Sequence, residues 1–428
     1  MRRFQHDDPG FEAAFTAFVA ERRETPDDVD AIVRDILAAV RVEGVAALLR
    51  FAKAFDQVEL TEDTLRVSAE EIAEGAAACH PEVRQAIAFA ANRIRSYHER
   101  QRPADQWFTD DTGAQLGWRW TPLESVGIYV PGGRAAYPST VLMNAVPAAA
   151  AGVERIAMVT PPGRLQPAVL AAAQIAGVSE IWRIGGAQAV AALAYGAGPI
   201  RPVDKIVGPG NAFVTAAKRR VYGVVGIDAL AGPSEIVVVA DASNDPEWIA
   251  ADLLSQAEHD PAAQAILITD DADFAVRVEA AVAAQLKTLA TGKDAAASWR
   301  DHGAVVIAPM GASPGLVDLI APEHVEFAVD DPERLSDQVR HAGAIFLGRH
   351  APEAIGDYVA GSNHVLPTSR AARFSSGLSL YDFLKRTSIM KCDAAAFAIL
   401  GPPTVVLAEA EGLPAHARSA AIRLNQSR

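Results

Sequence analysis

Residues 155–195 read RIAMVTPPGRLQPAVLAAAQIAGVSEIWRIGGAQAVAALAY, and this stretch contains the pattern that decides the fold. Two short apolar runs, Ile156–Val159 and Ile181–Ile184, are followed by alanine-rich segments at 165–176 and 187–195. Short apolar runs bounded by Gly or Pro are typical of buried strands, and the alanine-rich segments are typical of helices. Strands that alternate with helices predict a mostly parallel sheet with helices on both faces.

The same alternation extends on both sides of this stretch. Further apolar runs are Val126–Val130, Lys205–Val207, Ile236–Val239, Ile266–Ile268, Val305–Ile307, Val325–Val329 and Ile345–Leu347, with further helix candidates at 211–221, 246–258 and 333–342. Nine strands fit better into two sheets than into one. A Gly-Pro turn at Ala231-Gly232-Pro233-Ser234 interrupts the alternation, so we place the boundary between the sheets there. The expected fold class is α/β.

The two ends of the chain do not show this alternation. Residues 1–105 are expected to be helical, because their apolar residues recur with the helical period. Residues 379–398 and 403–428 look like two helices separated by Gly401-Pro402-Pro403. A helical tail of this length must fold back on its own body or reach a partner subunit.

These patterns divide the chain into four regions. They are an N-terminal helical region at 1–105, a first α/β lobe at 106–128 and 232–378, a second α/β lobe at 129–231, and a C-terminal helical tail at 379–428. A chain of 428 residues is too long for one ordinary hydrophobic core, which agrees with more than one lobe.

The composition excludes several classes of protein. A hydrophobic content of 50% with 21% charged residues is typical of a globular chain and not of a disordered one. The net charge of −14 argues against nucleic-acid and anionic-membrane partners, but not against a phosphate-bearing cofactor. Only two cysteines occur, Cys79 and Cys392, so we expect packing residues and a reducing cytoplasm. We identify no signal peptide and no apolar run long enough for a membrane helix.

Metal-ligating side chains are concentrated in a few polar stretches of this apolar chain. These are Ser255–His259, Pro322–His324, Asp357–His364 and the segment from Glu411 to His416. Oxygen and imidazole ligands gathered from distant segments suit a hard or borderline divalent ion. Gln256 and His259 lie three residues apart at the end of a predicted helix, so they can share one ion. Alone, this segment also fits a solvated helix terminus.

The adjacent residues Glu323 and His324 are the candidate acid–base pair. They join a predicted helix to the strand Val325–Val329, and helix–strand junctions at a sheet edge are where α/β proteins place their chemistry. Histidine moves protons near neutral pH, and a neighbouring glutamate can activate a water or fix the imidazole. The motif alone also fits a helix-end histidine with an exposed glutamate.

Two further segments supply candidate ligands. The loop at 356–368 carries Asp357, an oxygen ligand, and His364, a ligand or substrate contact, although a structural turn is the alternative. The tail carries Glu411 and His416, which alone resemble surface residues. They are candidates because the other stretches leave the coordination sphere incomplete.

Three glycine-rich segments each follow a predicted strand and precede a predicted helix. They are Tyr129–Gly133, Gly185–Gln188 and Gly208–Asn211. Backbone N–H groups at such turns can bind a phosphate at the start of a helix. None matches the G-x-G-x-x-G fingerprint or a P-loop, so a dinucleotide site here would be non-standard, and tight turns alone are the alternative.

Taken in order, these segments resemble the histidinol dehydrogenase family over nearly the whole chain. The resemblance rests on Gly127–Gly133, Gly185–Ala189, Val207–Asn211, Ala231–Glu235, Leu254–His259, Ala321–His324, Gly361–Thr368, Ser379–Ser388 and the segment from Glu411 to His416. One departure is Phe213, where the family more often has Tyr or Trp.

The resemblance implies a zinc-containing, NAD-dependent homodimer with two incomplete Rossmann-like lobes. The implied ligands of one Zn²⁺ per subunit are Gln256, His259, Asp357 and the partner subunit's His416. The implied NAD⁺ contacts are Tyr129, Gln188 and Asn211. The implied substrate contacts are Ser234, Gln256, His259, Glu323, His324, Asp357, His364, Glu411 and His416.

The implied reaction oxidises L-histidinol through L-histidinaldehyde to L-histidine with two NAD⁺. His324 is the expected general base, and Glu323 is expected to activate a water that adds to the aldehyde, because no suitable cysteine is present. Zinc is expected to orient the substrate.

Two alternatives remain from the sequence. One is a related zinc- and NAD-dependent dehydrogenase that acts on another polar alcohol, and His364 and Glu411 count against it. The other is a metallohydrolase in which Glu323 activates a zinc-bound water, and the three glycine-rich turns count against that.

Overall fold

The structure is a computed structural model that describes residues 1–21, 27–132, 137–163 and 165–424. Its strands are β1 (Arg2–Gln5), β2 (Gln106–Thr109), β3 (Gln115–Pro122), β4 (Ser125–Tyr129), β5 (Arg155–Thr160), β6 (Glu180–Arg183), β7 (Lys205–Val207), β8 (Gly226–Ile227), β9 (Glu235–Ala240), β10 (Gln264–Thr269), β11 (Ala304–Ile307), β12 (His324–Ala328), β13 (Ala344–Leu347) and β14 (Leu384–Lys391). Gly133, the end of one predicted glycine-rich segment, lies outside the described residues.

The α-helices are numbered separately, also in chain order. They are α1 (Phe11–Ala20), α2 (Asp27–Glu43), α3 (Val45–Phe51), α4 (Glu62–Leu65), α5 (Ala69–Ala77), α6 (Pro81–Glu99), α7 (Pro138–Ala151), α8 (Pro167–Ala176), α9 (Gly186–Tyr195), α10 (Ala212–Val221), α11 (Pro246–Ala257), α12 (Ala272–Gln285), α13 (Gly292–His302), α14 (Ser313–Ile320), α15 (Pro332–Ser336), α16 (Glu353–Tyr358), α17 (Ala394–Ala410) and α18 (Pro414–Leu424). None of the described helices has both the length and the apolar character needed to cross a bilayer.

The first of two parallel sheets has the strand order β6-β5-β4-β7-β8. Helix α9 packs on it through buried alanines, whose small side chains let the helix approach the strands closely. Gly127 of β4 shows how close this approach is, because a Cβ there would lie 2.8 Å from Leu193 of α9. The alanine-rich composition is thus explained by helices packed tightly on this sheet.

The second parallel sheet has the order β1-β11-β10-β9-β12-β13. All six residues of the central strand β9 are buried, which is typical of a strand covered by helices on both faces. The α/β fold class, the nine strands and the break near Gly232 are confirmed. The helix expected at 333–342 is shorter and ends at Ser336.

The N-terminal region is not wholly helical, so the prediction for residues 1–105 was wrong at its start. Residues Arg2–Gln5 form β1, which pairs in parallel with β11 at the edge of the second sheet. This short strand has one apolar residue, Phe4, and therefore no apolar pattern. Short, charged edge strands are common because they discourage pairing with other chains.

Contacts divide the described chain into two compact units. The first contains Met1–Gln101 and Glu124–Phe383, and the second contains Arg102–Leu123 and Leu384–Arg428. The second unit consists of an antiparallel sheet, β14-β3-β2, and the paired helices α17 and α18. The sequence assigned 106–128 to the lobe of the second sheet, but β2 and β3 belong to this unit and β4 to the first sheet.

The tail differs from the prediction of two helices separated by prolines. Residues Leu384–Lys391 form β14, whose side chains are mostly exposed and therefore carry no buried apolar pattern. Pro402 and Pro403 lie inside α17 and do not end it. A Cβ on Gly401 would lie 2.7 Å from Leu424 of α18, so glycine at this position lets α17 and α18 pack closely. This packing favours α17 as one continuous helix.

Gly117 of β3 provides a test of this second unit. A Cβ there would lie 2.3 Å from the backbone oxygen of Gln106 and 2.9 Å from the ring of Trp107. We expect Gly117→Ala to lower the free energy of unfolding by about 1–3 kcal/mol, because neighbouring backbone must shift. Urea unfolding followed by tryptophan fluorescence measures this change.

The matched control is Gly315→Ala in α14, where the added Cβ meets no described atom within 4 Å apart from its chain neighbours and the helix's own backbone. This substitution is expected to stabilise the chain by about 0.4–1 kcal/mol, because alanine restricts the unfolded state. Equal stability of Gly117→Ala and the unmodified chain would contradict the close approach of β2 and β3.

Candidate active site

The candidate acid–base pair lies at the amino end of β12. Helix α14 ends at Ile320. The next residue, Ala321, has a left-handed backbone with φ of 52°, and Pro322 cannot extend the helix. His324 is the first residue of β12, and both Glu323 and His324 are buried. The local sequence therefore ends a helix sharply and places two polar side chains inside the protein at a strand end.

Main-chain groups of Glu235 hold both members of the pair. The N–H group of Glu235 donates to Oε2 of Glu323 over 3.0 Å, and its carbonyl oxygen lies 3.0 Å from Nδ1 of His324. A carbonyl oxygen only accepts hydrogen bonds, so Nδ1 of His324 must carry the proton. Nε2 of His324 is then left with a lone pair, and it is buried without a hydrogen-bond partner among the described residues.

Burial changes the pKa of both side chains in directions that favour their neutral forms. Burial, with help from the nearby His364 and His259, lowers the pKa of His324 to about 3. Burial raises the pKa of Glu323 well above its ordinary value, and the carboxylates of Glu235 and Asp357 act in the same direction. A neutral imidazole with a free Nε2 can accept a proton, and a carboxyl group with a raised pKa is a stronger base once ionised.

Three of the four candidate metal ligands belong to the first unit. Gln256 lies in the last turn of α11 and His259 just beyond it, whereas Asp357 lies in α16 and not in a loop as predicted. Gln256 is buried, and its Oε1 has no hydrogen-bond partner among the described residues. A buried amide oxygen without a donor fits a metal ligand, because burying it unpaired is otherwise costly.

Short distances connect Asp357 to the acid–base pair. Its Oδ1 lies 3.8 Å from Nε2 of His324 and 3.9 Å from Nδ1 of His364. Nδ1 of His364 also lies 3.1 Å from the carbonyl oxygen of Asp357, and burial lowers the pKa of His364 to about 4. The structure therefore brings these three predicted residues together.

Glu353 is a site residue that the sequence prediction missed. It is buried at the first position of α16, one helical turn before Asp357. Ligand atoms of His324, Glu353 and Asp357 all lie within 4.8 Å of one another, so these residues could hold a metal ion. The available signal was the four-residue spacing, which places Glu353 and Asp357 on one helix face.

Two further carboxyl groups, those of Glu326 and Asp252, lie close to Glu353. Burial, with the nearby Asp252 and Glu353, raises the pKa of Glu326 to about 9. Burial, with Glu353, raises the pKa of Asp252 to about 7, and burial, with Asp357, raises the pKa of Glu353 to about 8. At neutral pH the region therefore retains protons that exposed carboxylates would lose.

The candidate nucleotide contacts lie at the first sheet. Tyr129 ends β4, and its hydroxyl accepts a hydrogen bond of 2.9 Å from the N–H group of Gly186, which opens α9. Gln188 is buried in the first turn of α9, and the side chain of Asn211 caps the N-terminus of α10. All three therefore lie at carboxyl ends of parallel strands or at the helix starts that follow them.

A buried ion pair fixes the third glycine-rich turn. Lys218 pairs with Asp228, and Lys218 also donates to the carbonyl oxygen of Gly208. The carboxylate of Asp228 accepts from the N–H group of Gly208 over 2.7 Å. Gly208 needs to be glycine, because its φ is 110° and a Cβ would lie 2.3 Å from the backbone oxygen of Tyr129.

The two sheets place their candidate residues at opposite ends of their strands. Parallel sheets usually bind ligands at the carboxyl ends of their strands, and the first sheet places its candidate residues there. In the second sheet, Ser234 precedes β9 and Glu323 precedes β12, so the candidate chemistry lies at the amino ends. Helices α11 and α16 bring Gln256 and Asp357 to this edge because they run back from the other end.

The tail candidates lie in the second unit. Glu411 and His416 are both exposed, at the end of α17 and in the first turn of α18. Their expected place beside the residues of the first unit stays a prediction.

Two parallel sheets with helices and a buried Glu–His pair at a strand end define the class of protein as an α/β enzyme. A family model described as histidinol dehydrogenase matches residues 19–424. The histidinol dehydrogenase of Caulobacter vibrioides is 76% identical over 99% of both chains, and that of Mesorhizobium japonicum is 59% identical over 98% of this chain and 99% of that protein.

A solved structure agrees with this match. The crystal structure of histidinol dehydrogenase from Elizabethkingia anophelis superimposes with a TM-score of 0.94 at 36% identity, covering 99% of this chain and 98% of that one. The chain therefore belongs to the histidinol dehydrogenase family of NAD-dependent oxidoreductases, which confirms the resemblance found in the sequence.

The buried carboxyl groups make stability depend on pH in a testable way. The pKa of Glu326 is raised to about 9 in the folded chain and returns to its ordinary value on unfolding, so the folded state binds more protons. Its contribution to stability is therefore complete below about pH 4.5 and is lost as pH rises through about 9. We expect Glu326→Gln to lose less unfolding free energy between pH 5 and pH 9 than the unmodified, zinc-free chain.

Denaturant unfolding at several pH values measures this difference. The control is Glu333→Gln, which changes an exposed carboxylate of α15 and should keep the slope of the unmodified chain. A Glu326→Gln slope equal to that of the unmodified chain would show that this carboxyl group carries no excess proton when folded.

Proposed function

We propose that this chain oxidises L-histidinol through L-histidinaldehyde to L-histidine, reducing two NAD⁺. The observation that carries this proposal is the geometry of Glu323 and His324, which Glu235 orients so that Nε2 of His324 has no hydrogen-bond partner in the described part of the chain. The names of the relatives and their identity over nearly the whole chain support the substrate. Membership of an NAD-dependent family counts against the alternative of a metallohydrolase.

In the first half-reaction, Nε2 of His324 accepts the proton of the substrate hydroxyl. The carbon that bears this hydroxyl transfers a hydride to the first NAD⁺, which gives the aldehyde and NADH. Supporting this role, burial keeps the imidazole neutral before the reaction, and the hydrogen bond at Nδ1 leaves Nε2 as the acceptor. General base catalysis of this kind contributes about 10²–10⁴-fold.

In the second half-reaction, a water adds to the aldehyde. Glu323 accepts a proton from this water as its oxygen bonds to the carbonyl carbon. The carbonyl oxygen takes back the proton that His324 received in the first half-reaction, so the product is a gem-diol and His324 is neutral again. His324 then deprotonates one hydroxyl of the diol while hydride passes to a second NAD⁺, giving the carboxylic acid, which releases its remaining proton to become the carboxylate of L-histidine. Glu323 and His324 are adjacent, with 3.6 Å between Glu323 Oε2 and His324 Nδ1, which supports a proposal in which one pair serves both steps.

We propose that Gln256, His259 and Asp357 hold one Zn²⁺ per subunit. The orphan oxygen of Gln256 and the carboxylate of Asp357 support this assignment, and mixed N and O ligands suit zinc with open positions. When bound, zinc would supply a positive charge that orients the imidazole and amine of the substrate.

We propose that a second copy of the chain completes the site. Large apolar side chains are exposed on the second unit, and they include Trp107, Phe108, Met390, Ile399, Val406, Leu407, Leu413 and Ile422. An apolar surface of this kind is typical of an interface. In the proposed homodimer, His416 ligates the zinc of the other subunit and Glu411 binds its substrate.

The remaining contacts follow the same proposal. NAD⁺ would contact Tyr129, Gln188 and Asn211 in turn, and Ser234 and His364 would contact the substrate. Cys79 and Cys392 are both free cysteines, which agrees with the proposed location in a reducing cytoplasm.

The count of NADH formed per substrate molecule tests this reaction. We expect two NADH for each L-histidinol, with a rate lowered about 10²–10⁴-fold in His324→Ala. Glu323→Gln should retain the first oxidation and accumulate the aldehyde, because water addition loses its base. Absorbance at the NADH band and quantification of the aldehyde measure both outcomes.

Turnover of another polar alcohol in preference to L-histidinol would overturn the proposal that L-histidinol is the substrate. One NADH per L-histidinol in the unmodified enzyme would overturn the second half-reaction. Glu333→Gln, an exposed substitution away from the pair, is the control and should keep both the rate and the count of two.

A further inference from the structure

We propose that Glu353 is a positioning residue that fixes Asp357 beside His324 and sets the affinity of the site for zinc. This inference rests on the proposed function, in which Asp357 is a zinc ligand. Glu353 itself is neither a proposed ligand nor a member of the acid–base pair.

The short helix that carries Asp357 depends on outside contacts. Helix α16 has six residues, and helices of this length are not stable through their own hydrogen bonds. Its first residue, Glu353, places Oε1 at 3.8 Å from Nε2 of His324, the first residue of β12. The direction of α16 is therefore tied to the strand that begins with His324.

The side chain of Glu353 extends this attachment to a third element. Its Oε2 lies 3.0 Å from Oγ of Ser255 in α11, next to Gln256 in the chain. The ligand atoms of Glu353 and Asp357, one turn apart on α16, also lie within 4.8 Å of each other. Glu353 thus connects the two helices that carry the proposed ligands of the first unit.

The other oxygen of Glu353 faces the base. Oε1 lies 3.8 Å from Nε2 of His324 and has no hydrogen-bond partner among the described residues. Glu353 is only 2% exposed. An apolar side chain could fill this space without the cost of burying a carboxyl group, so stability alone does not explain a glutamate here.

The contacts of Glu353 indicate what it does for the site. A carboxylate that ligates a metal needs its orientation fixed by hydrogen bonds from neighbouring groups, and loss of such a neighbour typically lowers metal affinity or activity about 10–100-fold. Without Glu353, Asp357 would lose a buried neighbour within 4.8 Å, and α11 and α16 would lose their link through Ser255.

The test compares two variants of the full-length enzyme in its native assembly. Glu353→Leu fills the space and keeps the backbone N–H group, but removes both oxygens. Glu353→Gln retains groups that can bond to Ser255 and Asp357. Competition with a chelator measures the zinc dissociation constant, and we expect it to rise about 10–100-fold for Glu353→Leu and to stay close to the unmodified value for Glu353→Gln.

Two controls separate the possible explanations. Leu335→Ala removes buried apolar volume from the same lobe and should lower thermal stability without changing zinc affinity. Asp357→Ala should lose zinc if the proposed metal site is right.

The outcomes are distinguishable. If Asp357→Ala binds zinc as tightly as the unmodified enzyme, the proposed metal site itself fails. If Asp357→Ala loses zinc while Glu353→Leu keeps it, the positioning role of Glu353 is overturned. Equal weakening in Glu353→Leu and Leu335→Ala would show a general effect of stability and would also overturn it.

Discussion

Two main-chain groups of Glu235 hold the acid–base pair, and the proposed chemistry depends on them. Its N–H group bonds to Glu323 and its carbonyl oxygen to Nδ1 of His324. Because β9 is a buried central strand with neighbours on both sides, these groups have little freedom to move. The orientation of both side chains and the tautomer of His324 are thus fixed by the packing of a sheet, which holds a site more firmly than a loop does.

The arrangement of the first unit follows from how parallel sheets are connected. A helix that follows a parallel strand runs back beside it, so the ends of α11 and α16 reach the edge where β9 and β12 begin. Ligand-type side chains at these helix ends therefore lie near Glu323 and His324. In the first sheet, the candidate nucleotide residues lie at the carboxyl ends of the strands. In the proposed function, the first sheet therefore binds the nucleotide and the second sheet carries the acid–base pair.

Much of the fold of the first unit could be predicted from the sequence, because buried strands leave runs of apolar residues. The apolar runs of the parallel strands located nine strands, and the motif around Glu323 and His324 located the pair. β1 and β14 were missed because they are short or exposed and are held by pairing with distant strands. Glu353 was missed because burial of a carboxyl group in a six-residue helix depends on Ser255 and His324, which are distant in sequence.

The tautomer of His324 tests the central claim most directly. Nitrogen NMR of enzyme labelled at histidine, with the signal of His324 assigned by comparison with His324→Asn, distinguishes the two ring nitrogens. At neutral pH the account expects a neutral ring with the proton on Nδ1 and a lone pair on Nε2. A proton on Nε2 of the resting enzyme would contradict the role of Glu235 and leave His324 unable to act as the base.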